Sequence, residues 1–221
     1  MDWAALRLSL ELAGWTSVLL LPPAILLARW LSLPGVRGRA VIEMLVALPL
    51  VLPPSVLGYY LLGQFGAAAP LGRLWQGVFG HPLAFSFEGL LIASLLVNIP
   101  FAVQPILRAF EGIPREVREA AWCSGLSRLA AFRRIELPLA RSGVTAAFAL
   151  VFAHTLGEFG VVLMVGGNIS GATRTLSIAI YDRVQAFDDS GAGAMAALLL
   201  VVSVAVMALV YLVTGRGGRR G

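Results

Sequence analysis

The chain has 221 residues, of which 58% are hydrophobic and only 13% charged, with a formal net charge of +5. A soluble domain carries about 25% charged residues, so the polar surface here is too small to cover a water-soluble globule. All 17 basic residues are Arg, which leaves no Lys for a phosphate-binding Walker A loop or for Schiff-base chemistry. The single cysteine, Cys123, cannot close an internal disulfide. With only two His beside it, no metal site built from protein ligands is expected. A nucleic-acid partner is not expected either. The Arg residues lie in short segments between apolar runs, a pattern that reports membrane topology. No nucleophile–base pair stands out, so neither a catalytic residue nor a cofactor is expected, and the chain is read as a non-enzyme.

Five apolar stretches reach the roughly 20 residues that a helix needs to cross the hydrocarbon core. They are residues 8–28, 41–62, 89–107, 142–165 and 192–213. Lipid offers no hydrogen-bond partner to an open backbone, so each is expected to be helical. A barrel would show alternating segments of about ten residues, which these are not. The expected fold class is therefore all-α: one polytopic membrane domain over residues 1–221, with about five transmembrane helices. The first stretch opens Met1-Asp2-Trp3 and has no small-residue cleavage site after it, which argues against a signal peptide.

Arg asymmetry orients the chain. With the amino terminus outside, the inner segments hold Arg29, Arg37, Arg39, Arg108, Arg115, Arg118, Arg128, Arg133, Arg134, Arg141, Arg216, Arg219 and Arg220. The outer segments hold only Arg7, Arg73, Arg174 and Arg183. The positive-inside rule then puts the carboxyl terminus in the cytoplasm and the chain in the inner (cell) membrane.

Proline interrupts three stretches: Pro22-Pro23 in the first, Pro49 and Pro53-Pro54 in the second, Pro100 and Pro105 in the third. Such breaks are tolerated where protein or a water-filled path satisfies the freed carbonyls. Proline is also simply common in membrane helices. Pro53-Pro54 followed by Ser55 is the best candidate for a break on a pathway.

Residues 111–141, between the third and fourth stretches, form the longest inner loop. They read as two short amphipathic helices. Pro114 suits a first helical position. Val117, Ala120 and Ala121 fall on one helical face, and Gly125 suits a left-handed stop. Ser127 is placed to cap the second helix. Leu129, Phe132 and Ile135 would form its apolar face, and Pro138 would end it. A small-residue face beside Gly125, ringed by Arg, is suited to close approach by another protein; an ordinary surface hairpin is the plainer alternative.

The loop reads Glu119-Ala120-Ala121, three residues, Gly125, nine residues, then Ile135-x-Leu137-Pro138. This resembles the EAA loop of binding-protein-dependent ABC importers at every fixed position. The resemblance implies a type I ABC importer permease fold, with Glu119, Ala120, Ala121, Gly125, Ile135, Leu137 and Pro138 coupling to a separate cytoplasmic ABC ATPase. It implies a homodimer with two ATPase copies and an extracytoplasmic oxyanion-binding protein. Residues 49–57 (P-L-V-L-P-P-S-V-L) and 156–182, with L-G-E-F-G-V-V-L-M-V-G-G-N-I, resemble molybdate permeases, with tungstate and sulfate permeases close behind. Ser170 and Ser55 depart from that pattern, where Pro and often Thr stand. The implied function is inward transport of molybdate, or of tungstate or sulfate. The rivals are a secondary transporter driven through His154 and Glu158, and a membrane docking protein.

Path donors for a tetrahedral oxyanion are expected from Ser55, Asn98 and Thr155 and from backbone freed near Pro54 and Gly157. Glu158 is harder to place. Either it sits off the path, bonded to backbone or Arg, or it lines and gates the path. His154 lies four residues earlier and is placed to pair with it. Gly157, Gly160, Gly166 and Gly167 suit close helix approach. Residues 175–187 read as an amphipathic helix at the outer surface, with Leu176, Ile180, Val184 and Phe187 on its apolar side. It would either cap the outer mouth and meet a binding protein, or act as an interfacial anchor.

Overall fold

The computed structural model describes residues 1–215, and every regular element in it is helical. Arg216, Arg219 and Arg220, counted above as inner charges, lie outside the described residues. Three helices are long and apolar enough to span a membrane alone: α1 (Trp3–Leu31), α5 (Phe87–Glu111) and α12 (Asp189–Gly215). Two further spans exist if each of two bent helix pairs counts as one.

The first bent pair corrects the expected second stretch. Residues 41–62 do not form one rod. α2 (Arg39–Val51) and α3 (Pro54–Phe65) meet at 104°. The break sits at Leu52 and Pro53. Leu52 is extended (φ −74°, ψ 133°) because the ring of a following proline disfavours the helical region. Pro53 caps α3, and Pro54 occupies its first turn, where a missing N–H costs no helical bond. Pro49 lies inside α2, Pro22-Pro23 inside α1, and Pro100 and Pro105 inside α5, so proline alone does not decide where the chain turns.

The fourth stretch is also divided. α9 (Arg141–Gly157) ends at an extended Glu158, and the seven-residue α10 (Gly160–Gly166) follows after Phe159. α9 is preceded by the second bend, 66° from the helical segment Arg128–Leu139.

α1, α5 and α9 pack on one another as the central trio, with α2 against α5. Their Arg-rich ends share a core of Ala24, Ala28, Leu31, Val103, Ile106, Phe110 and Ala147. At the other end α10 packs against α3 and α5, burying Phe65, Leu83, Val97, Val161 and Val165. α4 (Pro70–Phe79) lies beside α3, and α11 (Leu176–Gln185) packs on α12. The expected apolar side of residues 175–187 is only partly right. Leu176, Ile178 and Ala179 are buried, but Val184 is exposed. The helix stops at Gln185, and Phe187 stands 93% exposed at φ 56°.

Glycine sets how closely helices approach. A Cβ added to Gly143 of α9 would lie 2.4 Å from the Ala109 side chain and 2.6 Å from the Pro105 carbonyl on α5. One added to Gly58 of α3 would lie 2.8 Å from Met164 of α10. Much of the outward surface is apolar, including Trp15, Val18 and Leu26 on α1 and Leu200, Val201 and Val204 on α12. Exposed Trp3 and Trp30 mark the two ends of α1. At 1.5 Å per residue they stand about 40 Å apart, the spacing of aromatic belts at two membrane interfaces.

Gly143→Val should therefore wedge α9 from α5 and cost about 1–3 kcal/mol, read as a lowered Tm of the detergent-solubilised protein. Gly14→Ala, where an added Cβ meets nothing within 4 Å, should lower it not at all.

Candidate functional site

Two features stand apart from the packed core: the loop after α5, and a cavity where the two broken spans meet.

In the loop, α6 (Arg115–Cys123) begins one residue later than expected, because Pro114 is its cap in extended geometry. The expected small-residue face is split between inside and outside. Ala121 is buried and Val117 packs on the core, whereas Ala120 is exposed. Arg118 is buried beside them, which the apolar periodicity did not indicate. Gly125 takes φ +80° with nothing within 4 Å of an added Cβ. The N–H of Leu126 donates to the Ala121 carbonyl and that of Gly125 to Trp122, a glycine-dependent helix stop. Glu119 pairs with Arg115 at 2.6 Å across one turn.

Ser127 caps α7 (Arg128–Ala131), accepting from the Ala130 N–H at 3.2 Å. A π turn, Phe132–Glu136, follows, its last bond running from the Leu137 N–H to the Phe132 carbonyl. The expected apolar face is again corrected: Leu129 is 58% exposed, while Ala131 and Glu136 are buried. Ile135 is half-buried, Leu137 packs on the core and Pro138 is exposed. Pro138 does not end the helix. It lies in α8 (Leu137–Leu139), and the chain bends after it at Ala140 (φ −81°, ψ 2°) into α9. The tip of the loop thus exposes Ala120, Trp122, Cys123 and Gly125 around the buried Ala121, with Leu129 also exposed beyond it. Trp122 and Leu129 were missed as surface residues. Only the inward turn of Val117, Arg118 and Ala121 shows which side is left over.

The cavity has a volume of about 370 Å³ and lies against the two breaks. Pro54, Gly157 and Glu158 line it, together with Pro49, Phe101 and His154. An added Cβ on Gly160 would sit 2.9 Å from Pro54, so the breaks lie against each other. Ser55 is exposed on the first turn of α3 but is not among the lining residues. Asn98 and Thr155 are buried behind the wall. The Asn98 amide donates to the Thr155 hydroxyl at 3.1 Å and to the Ser94 carbonyl at 2.8 Å, and Thr155 donates to the Val151 carbonyl at 2.7 Å. They tie α5 to α9.

His154 does not meet Glu158. Its Nδ1 lies 3.1 Å from the Asn98 side-chain oxygen, and its ring stacks on Phe101 at 4.1 Å. The reason is the helix end at Gly157, which breaks the four-residue register before Glu158 is reached. Glu158 is 8% exposed, with Oε2 lacking any hydrogen-bond partner among the described residues. Its backbone carbonyl accepts from Ser177 of α11 at 2.6 Å. A second cavity of about 310 Å³ continues along α5 past Phe101 to Gln104 and Arg108. Phe101 and Leu50 belong to both walls. The stripe Phe101, Gln104, Arg108 follows helical spacing and carries the polar groups, a signal the sequence held and the reading did not use.

The family of binding-protein-dependent transport system inner membrane components matches residues 21–217. The chain belongs to this family. Among its relatives is the molybdenum transport system permease protein ModB of Azotobacter vinelandii, 44% identical over 95% of this chain and 93% of that one. The sulfate transport system permease protein CysT of Salmonella typhimurium is 33% identical over 83% of this chain and 66% of its own length. The fold matches a bacterial alginate ABC transporter solved in complex with an alginate pentasaccharide-bound periplasmic protein. That match has a TM-score of 0.76 and 18% identity, and covers 99% of this chain and 80% of that one. The chain is thus a multi-pass inner-membrane permease subunit with the type I importer fold.

Asn98→Leu should cost about 1–3 kcal/mol by leaving buried partners unsatisfied. Thr155→Val should cost about 1 kcal/mol or less, in the range of single interhelical bonds in membranes. Thermal unfolding in detergent ranks the two.

Proposed function

We propose that this permease carries molybdate inward as a homodimer, driven by two cytoplasmic ATPase subunits gripping the loop around α6 and fed by an extracytoplasmic oxyanion-binding protein. The observation that carries the substrate is the 44% identity, across nearly the whole chain, with a molybdenum permease. The exposed tip of α6 supports the coupling role. Ala120 and Gly125 allow close approach, and Trp122 supplies an apolar anchor of the kind that dominates protein interfaces.

Two copies related by a two-fold axis would face their broken spans toward a common path. The amino terminus of α3 points its helix dipole toward the cavity, which favours an anion. Three polar side chains once expected to donate do not line the cavity, so selection falls to the binding protein and the path itself is sparse. Phe101, held by His154, stands between the two cavities as a barrier. Arg108 beyond it would draw the anion toward the cytoplasm. Glu158 fits a lining and gating role better than an ion pair, because no Arg or His among the described residues meets it. With the amino terminus outside, the α6 loop lies in the cytoplasm, where the ATPase is. Closing the ATPase pair on ATP would draw the two loops together and shift the helices between outward- and inward-facing arrangements.

A second reading, sulfate or tungstate as cargo, draws on the sulfate permease relative. ATP-driven uptake of labelled molybdate into vesicles holding the assembled importer separates them: molybdate and tungstate should compete strongly and sulfate weakly. Uptake blocked by sulfate alone would reassign the cargo. Trp122→Ala should weaken ATPase co-purification by about tenfold, as for an interface anchor worth 1.4 kcal/mol. A bulky residue at Gly125 should abolish ATP-driven uptake. Normal uptake and ATPase recovery in both variants would refute docking at this tip.

A further inference from the structure

Glu136 is 1% exposed, although it ends a π turn in a loop rich in exposed Arg. Arg29, in the last turn of α1, reaches it with both arms of its guanidinium. Nε donates to Oε2 at 3.1 Å and Nη2 to Oε1 at 3.0 Å. The same guanidinium lies over the Phe132 ring, 4.8 Å from its centroid. Phe132 and Glu136 are four residues apart and both face Arg29. From the other side Arg118, buried on α6, places its Nε 3.8 Å from Glu136 Oε2. Its Nη2 donates to the Phe110 carbonyl at the end of α5 at 2.8 Å, and to the Ser32 hydroxyl at 3.4 Å. One carboxylate therefore joins the first span, the third span, α6 and the π turn.

Stability alone does not account for this arrangement. Burying charges carries a desolvation cost, and well-packed apolar residues often hold as firmly. The triad adds direction. The bidentate Arg29–Glu136 pair fixes the distance and angle between α1 and the π turn, and Arg118, itself bonded to Phe110 and Ser32, brings α6 to within 3.8 Å of the same carboxylate.

We infer that Glu136, held between Arg29 and Arg118, is the positioning latch that turns displacement of α6 into displacement of the first span. The inference rests on the proposed grip of an ATPase on α6. Without the latch the ATPase still docks on the exposed tip and still hydrolyses ATP. The push is then absorbed by sliding of α6 rather than passed to α1.

The test uses the complete importer in proteoliposomes with binding protein and labelled molybdate, measuring uptake and ATP hydrolysis in the same sample. Hydrogen exchange of amides 115–123 is followed in parallel. Glu136→Gln should keep hydrolysis but lower the molybdate moved per ATP by about tenfold, within the range for coupled sites, and α6 should exchange faster. Arg29→Lys keeps the charge but loses the fork, and should fall between the variant and the unmodified importer. Equal losses of uptake and hydrolysis, leaving their ratio unchanged, would overturn the latch, as would unchanged exchange of α6. If Glu136→Gln does not assemble, Arg29→Lys and Arg118→Lys decide by the same ratio. If the unmodified importer shows no ATP-driven uptake, the proposed function fails. The exchange rates of α6 in the unmodified and Arg29→Lys proteins still show whether the triad fixes that helix.

Discussion

A backbone that stops being helical inside a membrane must find its hydrogen-bond partners within the protein, because hydrocarbon supplies none. The architecture follows from this constraint. The chain breaks at Leu52-Pro53 and at Glu158-Phe159, and the two breaks lie against each other. The opening left between them is the cavity of about 370 Å³. Glycine makes the arrangement possible. Gly160 admits Pro54, Gly58 admits Met164, and Gly143 brings α9 onto the Pro105 carbonyl of α5. A side chain at any of these positions would push apart the elements that shield the breaks.

The same constraint explains why polar side chains within the spans serve structure before transport. Asn98 and Thr155 are buried and use each other and nearby carbonyls. In a lipid-facing bundle, interhelical bonds of this kind replace the hydrophobic drive that would hold helices together in water. Glu158 is a buried carboxylate beside the cavity, its Oε2 without a hydrogen-bond partner among the described residues, as are Thr16 Oγ1 and Ser94 Oγ.

At the Arg-rich end the problem is transmission rather than shielding. The α6 loop is short, its outward face is small or aromatic, and its inward face is half apolar and half charged. Val117 and Ala121 seat it on the core, and Arg118 reaches past them to a carboxylate that α1 also holds. A surface that a partner pushes must be joined to what it moves. In the proposed mechanism the join is the buried Arg29–Glu136–Arg118 triad rather than a longer helix.

Most of the fold class was legible in the chain itself. Five apolar stretches, an Arg bias and one loop motif are local properties, set by hydropathy and spacing. Gly125 as a left-handed stop and Ser127 as a cap were readable for the same reason, since each depends on neighbours within five residues. Misreadings came where partners are distant in sequence. The 142–165 stretch looks like a single rod because hydropathy does not register a bend, and Pro53-Pro54 marked the break in 41–62 without giving its 104° angle. Asn98 looked like a path donor until Thr155 and His154, more than 50 residues away, took up its side chain. Leu129 fits an apolar face by period, yet the core accepted Ala131 and Glu136 instead. Composition and order of residues thus determined that the chain crosses a membrane as helices and offers a loop to a partner. Only the tertiary structure decided which polar groups are spent on holding helices together, which remain for a substrate, and that Glu136 joins Arg29 and Arg118. Burial and pairing depend on what folds back from elsewhere in the chain, and no local pattern carries that information.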